Sequence, residues 1–171
     1  MTNSKTPRPA RRSDGRSRSA SRLAVVQALY QMEMSGQDSE SALREFIEHR
    51  MGQELEGEQY AQADHKYFTE ILRGVVARQD EIDGALARAT GKSWSFDRID
   101  TTMRAILRAG SYELIANVTV PVRVIVHEYL SVASAFYAEK SDDIGFLSGI
   151  LFQIARQQRP DELGTLSPAE T

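Results

Sequence analysis

With 171 residues, 41% hydrophobic and 26% charged, the chain has the make-up of one globular domain or of two small subdomains sharing a core. The formal net charge is only −3, but it is unevenly spread: residues 1–22 hold seven bases against one acid, a net +6, and the remainder holds 14 bases against 23 acids, a net −9. The absence of cysteine excludes disulfides, thiolate metal sites and a cysteine nucleophile. No apolar run is long enough to span a bilayer, and the basic N-terminus lacks the apolar stretch of a secretory signal, so a cytoplasmic protein is expected.

Residues 1–15, rich in Ser, Arg, Pro and Gly, have little to bury and are expected to form a disordered basic arm. Helical periodicity then takes over. The spacing predicts a first helix from about Ser19 to Met34, ended by Ser35-Gly36, and a second over about Ser39–Arg50. A third is expected over about Gln59–Ala77, with Tyr67, Phe68, Ile71, Leu72 and Val75 inward. A fourth spans about Gln79–Ala89 and stops at Thr90-Gly91. The fifth has Asp97 as candidate N-cap and Ile99, Met103, Ile106, Leu107 and Leu114 as its stripe, ending near Asn117. Helices six and seven are expected over about Val122–Tyr137 and Asp142–Arg156, and residues 157–171 read as a flexible tail. Val118-Thr119-Val120 has strand-forming residues but no partner strand. The fold class is therefore all-α, a helical bundle of about seven helices with short connections.

No constellation for catalysis emerges. His49, His65 and His127 fall in different predicted helices, without metal-ligand spacing. His127 and Glu128 are adjacent, and adjacent helical residues do not face each other. Asp142-Asp143 has the placement of acids that complement a helix dipole. There is no glycine-rich phosphate loop and no nucleophile elbow, so no enzyme activity, metal or cofactor is expected.

The basic arm is the candidate binding element. Arginines bind polyanions by charge neutralisation and need no fixed framework for it. Arg18 and Arg22 are four residues apart on one helical face, and Tyr30 lies two turns further on nearly the same face, where its ring could stack on a base. The serines between the arginines could donate to phosphate. The same pattern also fits a solvated tail, with Tyr30 and Phe146 as ordinary core residues.

The segment from Arg18 to Gln31, with Ala-Val-Val-Gln-Ala-Leu-Tyr-Gln, resembles the start of the NusB family. The resemblance continues through Tyr67-Phe68, Ile71-Leu72 and Gly74, through Trp94-Ser-Phe-Asp-Arg-Ile-Asp100 and through Arg104 to Leu114. It then runs through Val120-Pro121, Val124-Ile125 and Glu128 to Phe146-Leu-Ser-Gly-Ile-Leu151, covering about residues 16–156 as one NusB-like domain. The chain departs from the family pattern at Ser19, His127, Gly145 and Ser148.

The resemblance implies an all-helical fold of two packed subdomains and binding to boxA-type single-stranded RNA. It implies a heterodimer with NusE, a ribosomal protein, within an RNA polymerase antitermination complex, and a homodimer in some members. By position it implies RNA contacts at Arg18, Arg22 and Tyr30, with Arg108 and Phe146 nearby; Arg11, Arg12 and Arg16 are added on charge alone. Two other readings are an RNA-recognition domain of the kind attached to ribosomal RNA cytosine methyltransferases, for which no following cofactor domain is expected, and a self-associating helical scaffold.

Overall fold

The computed structural model describes residues 11–51, 64–91 and 96–163, with backbone only for residues 11–14 and Phe96. Among the described residues the architecture is all-α, as the periodicity predicts, and contains no strand. Eight α-helices follow in order: α1 (Arg11–Ser35), α2 (Ser39–Glu45), α3 (His65–Ala77), α4 (Gln79–Thr90), α5 (Thr101–Ala116), α6 (Val122–Ala133), α7 (Asp142–Gln158) and α8 (Pro160–Leu163). A π-helical turn, Phe46–Arg50, extends α2, and a 3₁₀ turn, Phe96–Arg98, precedes α5.

Three aspartates set helix starts by accepting a backbone N–H three residues on, which satisfies one of the orphan donors of a first turn. Asp38 Oδ1 accepts from Ser41 N at 2.9 Å, Asp64 Oδ1 from Tyr67 N at 3.0 Å, and Asp100 Oδ1 from Met103 N at 3.0 Å. Asp100, not the expected Asp97, is therefore the cap of α5; Asp97 sits within the 3₁₀ turn before it. Glycines with positive φ follow α1 (Gly36, 72°) and α4 (Gly91, 71°), a conformation in which a side chain would clash with its own backbone.

α1 is described from Arg11, ahead of the expected start at Ser19, so residues 11–15 are helical; the rest of the expected arm, residues 1–10, lies outside the described residues. The expected start of α3 at Gln59 lies outside the described residues, and α3 is described from His65. α6 ends at Ala133, short of Tyr137, where the chain leaves the helix in turns. Val118-Thr119-Val120 is the turn between α5 and α6.

α5 lies at the centre, packed by α1, α3, α4, α6 and α7. The buried apolar residues form one cluster, with Phe68, Leu72, Ile106, Leu107, Leu114, Ile125, Leu147 and Leu151 at its heart, and the two expected subdomains share it without a break. Gly110 allows the close approach of α6 and α7: a Cβ there would meet Leu151 Cδ2 at 3.0 Å and the Tyr129 ring at 3.3 Å.

The segment beyond Gln157, expected to be a flexible tail, contributes a structural lock as far as Leu163. Arg159 is buried, and its guanidinium donates to Leu114 O (2.8 Å), Glu113 O (3.0 Å), Asn117 O (2.6 Å) and Val120 O (2.7 Å). These carbonyls lie at and beyond the end of α5; Glu113 O and Asn117 O also accept from Asn117 N and Val120 N, whereas for Leu114 O and Val120 O the guanidinium supplies the N–H that the ended helix does not. Glu162 in α8 accepts from Val122 N at 2.6 Å and so serves the proline-led start of α6.

Arg159→Ala leaves the Leu114 and Val120 carbonyls without the donor they have, at a cost of about 3 kcal/mol. For a chain of this size that lowers the thermal midpoint by roughly 6–12 °C, measured by circular dichroism. A midpoint within a degree of the parent would remove Arg159 from the structural role.

Candidate nucleic-acid interface

α1 divides its residues between two faces. Ser21, Arg22, Ala24, Val25, Val26, Ala28 and Leu29 are buried. Positions 16, 20, 23, 27, 30 and 34, at alternating steps of four and three, form the opposite stripe. On it Arg16, Gln27, Tyr30 and Met34 are exposed, and Ala20 and Leu23 are half-buried. Arg16 and Tyr30 thus share a face about 21 Å apart at 1.5 Å per residue.

Arg22 does not lie on that surface. Its side chain is 3% exposed, against a fully buried Glu113 on α5. Arg22 Nε donates to Glu113 Oε2 at 2.8 Å and Nη2 to Oε1 at 3.1 Å, a two-pronged pair. Arg22 Nη2 also donates to the Tyr67 hydroxyl at 2.8 Å. The Tyr67 hydroxyl donates to Glu113 Oε1, the Tyr129 hydroxyl to Oε2 at 2.5 Å, and Asn117 Nδ2 to Oε1 at 3.2 Å. For the RNA contact expected at Arg22 to form, its guanidinium would have to leave a buried carboxylate to reach a phosphate.

The ionisation of this cluster follows from its partners. Burial works against charge on Glu113, but the Arg22 hydrogen bonds and charge, helped by the Tyr129 and Tyr67 hydroxyls, carry its pKa below the usual carboxylate range. Burial also opposes charge on Arg22, and the bond to Glu113 outweighs it, so the pKa rises. Tyr67 and Tyr129 are both pushed up, first by burial and then by the Glu113 charge. The cluster holds one cation, one anion and two neutral phenols.

Two of the serines expected to meet phosphate, Ser19 and Ser21, are turned to the fold. Ser21 is fully buried and donates to Asp64 O at 2.8 Å, and Asp64 N donates to Ser17 O at 3.3 Å, which stitches α1 to the start of α3. Ser19 donates to Glu128 on α6 at 2.7 Å, and Arg22 Nη1 lies 3.5 Å from the same carboxylate.

The remaining candidates separate in space. Arg18 is half-buried beside the anchoring pair, its guanidinium 5.2 Å from the Tyr67 ring centroid, the same distance as that of Arg22. Arg108 lies by the other end of α1: it makes a two-pronged pair with Asp83 on α4, 3.0 Å on each prong, and lies 3.6 Å from Glu33. Glu33 is seventeen residues beyond Arg16, about 25 Å along the helix. Arg104 also pairs with Glu33, so this network ties α1, α4 and α5 together and leaves Arg108 apart from the basic end. Phe146, in the first turns of α7, is half-buried against the core. The side chains of Arg11 and Arg12 lie outside the described residues.

Among the described residues no group of three or more His, Asp or Glu could hold a metal ion, and no helix is long and apolar enough to cross a membrane. Fold and surface together define an all-helical module that carries a helix with a basic start, locked to its core by a buried ion pair. The NusB family profile matches residues 19–156, and the chain belongs to the NusB family. A transcription antitermination protein NusB from Sphingopyxis alaskensis is 48% identical over 84% of this chain and 95% of its own length. One from Caulobacter vibrioides is 45% identical over 83% and 94%. Among solved structures, NusB of T. maritima has a TM-score of 0.69 at 28% identity, covering 95% of this chain and 99% of its own. A structure of NusB and NusE in complex with dsRNA shares the fold, with a TM-score of 0.67 at 20% identity over 83% of this chain and 98% of its own.

Arg22→Ala strands the Glu113 charge in the core and costs about 3–5 kcal/mol, read from urea melts at pH 7. Because the folded-state pKa of Glu113 is depressed, its contribution is complete above the unfolded value of about 4.3 and is lost as pH falls through the lower folded value. The stability gap between the parent and Glu113→Gln therefore narrows between pH 7 and pH 3. An unchanged gap over that interval would contradict the assignment.

Proposed function

We propose that this protein is a transcription antitermination factor that binds boxA-type single-stranded RNA together with NusE, acts in the cytoplasm within an RNA polymerase complex, and opposes premature Rho-dependent termination, notably in ribosomal RNA operons. It performs no bond-making chemistry. The observation that carries the reading is the basic first part of α1: residues 1–22 bear a net +6 on a body of −9, and Arg16 stands exposed at the head of an outward stripe that ends in Tyr30 and Met34.

RNA phosphates would lie along the basic end, at Arg16 and Arg18 and, on charge, Arg11 and Arg12. Tyr30 would offer a stacking surface further along the stripe. Arg22 acts as a positioning residue, since it fixes the helix that carries the others. Arg108 and Phe146 would take part only where the strand extends far from the basic end. The names of the relatives, transcription antitermination proteins NusB, support the reading, as does the related complex of NusB and NusE with dsRNA.

The test is a titration of boxA-type RNA, with and without NusE, at two salt concentrations. The variant Arg16→Ala/Arg18→Ala should bind more weakly and flatten the log–log salt dependence by about 0.7 for each phosphate of a single strand that is no longer neutralised. Affinity and salt slope equal to those of the parent would rule the reading out.

A further inference from the structure

Next to the anchoring pair is a cavity of about 250 Å3 that the RNA-binding reading leaves unused. Its lining includes Arg18 from α1, Tyr67 and Glu70 from α3, Tyr112 and Ala116 from α5, and Thr119 from the turn that follows. Glu70 and Thr119 are exposed, so the cavity reaches the surface between α3 and the α5–α6 turn. Tyr112 can form its wall because residue 74 is glycine: a Cβ there would overlap the phenol ring.

The volume falls below the roughly 300–1,000 Å3 of pockets that hold drug-sized ligands, which restricts the occupant to something like a single heterocycle. The lining chemistry narrows it further. The Tyr112 ring and the Arg18 guanidinium offer flat surfaces for an aromatic ring, while the buried Tyr67 ring is already faced by Arg18 and Arg22. The carboxylate of Glu113 is already engaged by Arg22, Tyr67, Tyr129 and Asn117, so recognition falls to the groups nearer the mouth. There, Glu70 is an acceptor-only group and Thr119 a hydroxyl. An exocyclic amino group can donate to the Glu70 carboxylate, whereas the O4 of uracil would face it as a second acceptor.

Position supplies the link to a polymer. Arg18 belongs to the basic segment, and its guanidinium is part of the cavity lining. A strand whose phosphates follow that segment passes the mouth of the cavity. Resting on the RNA-binding reading above, we infer that this cavity is a nucleobase pocket: it receives one amino-bearing base turned out of the single-stranded RNA, stacked between Arg18 and Tyr112 and read at its edge by Glu70.

The experiment uses the full chain and boxA-type RNA in which each position is replaced in turn by an abasic site or by 2-aminopurine. One position is expected to change strongly in fluorescence on binding, and an abasic site there should weaken binding by about ten-fold. Ala116→Phe, which fills the cavity, should bind intact RNA about ten-fold more weakly, abolish the penalty for the abasic site and keep the salt slope. Glu70→Gln, an exposed change that leaves the cavity walls in place, should bind uracil and cytosine at that position alike. Should the parent bind RNA while no position stands out and both variants behave as the parent does, the pocket assignment is overturned and the RNA-binding reading survives. Should the parent bind no RNA at all, both fall. Adenosine, cytidine and uridine monophosphates are titrated separately: a free nucleotide that binds more tightly than RNA and is lost in Ala116→Phe would overturn the assignment to a base of the strand.

Discussion

The two-pronged ion pair between Arg22 and Glu113 determines where the basic part of this molecule points. Taking both charges out of water is expensive, and Coulomb attraction offsets that cost only when geometry and additional hydrogen bonds are good. Here the carboxylate also receives the Tyr67 and Tyr129 hydroxyls and the Asn117 amide. These partners come from α1, α3, α6 and the end of α5, so one carboxylate joins four segments of the chain. A sliding or rotation of α1 by one residue would leave an uncompensated charge in the core. The pair therefore specifies the register of α1, and with it the direction in which Arg16 and the outward stripe face.

Reading basic residues as a single cluster conceals this division of labour. Arg22 pairs inward, Arg104 and Arg108 bind Glu33 and Asp83, and Arg159 caps α5. Each has a partner with defined geometry, and a phosphate would have to displace it. Arg16 differs, being exposed on the outward stripe. Net charge accounts for the long-range attraction to a polyanion, but the contacts that form must come from side chains that gain more from phosphate than they lose inside the protein.

Much of the fold was legible because apolar residues at steps of three and four mark buried helix faces whatever the tertiary context. The polar exceptions on those faces held the missing information. Arg22 is in register with Val25, Val26 and Leu29, and Glu113 with Ile106 and Gly110, so each charge stands on an apolar stripe. Opposite charges on two such stripes point to a buried pair, a signal that the clustering of arginines outweighed. Asp97 and Asp100 are equally good caps by type, and only the 3₁₀ turn over Phe96–Arg98 separates them. Arg159 could not be found from local pattern at all, since its role is defined by carbonyls of α5 more than forty residues away. Tyr30 is exposed, as stacking on a base requires, but its neighbours along the stripe are Gln27 and Met34 rather than Arg22.

The helical state of residues 11–22 changes the physical character of the basic segment. Arginines brought onto successive turns of one helix repel one another at low salt. Sequence propensity does not oblige the chain to place them there, with Gly15 and several serines in the first turns. The inward bonds of Ser19, Ser21 and Arg22 hold the helix against that repulsion from its buried side. An RNA phosphate on these turns would interact favourably with the guanidinium groups. The electrostatic cost carried by the free protein would thus become part of the driving force for binding, and the buried anchor would spare the strand much of the entropy of ordering the helix itself.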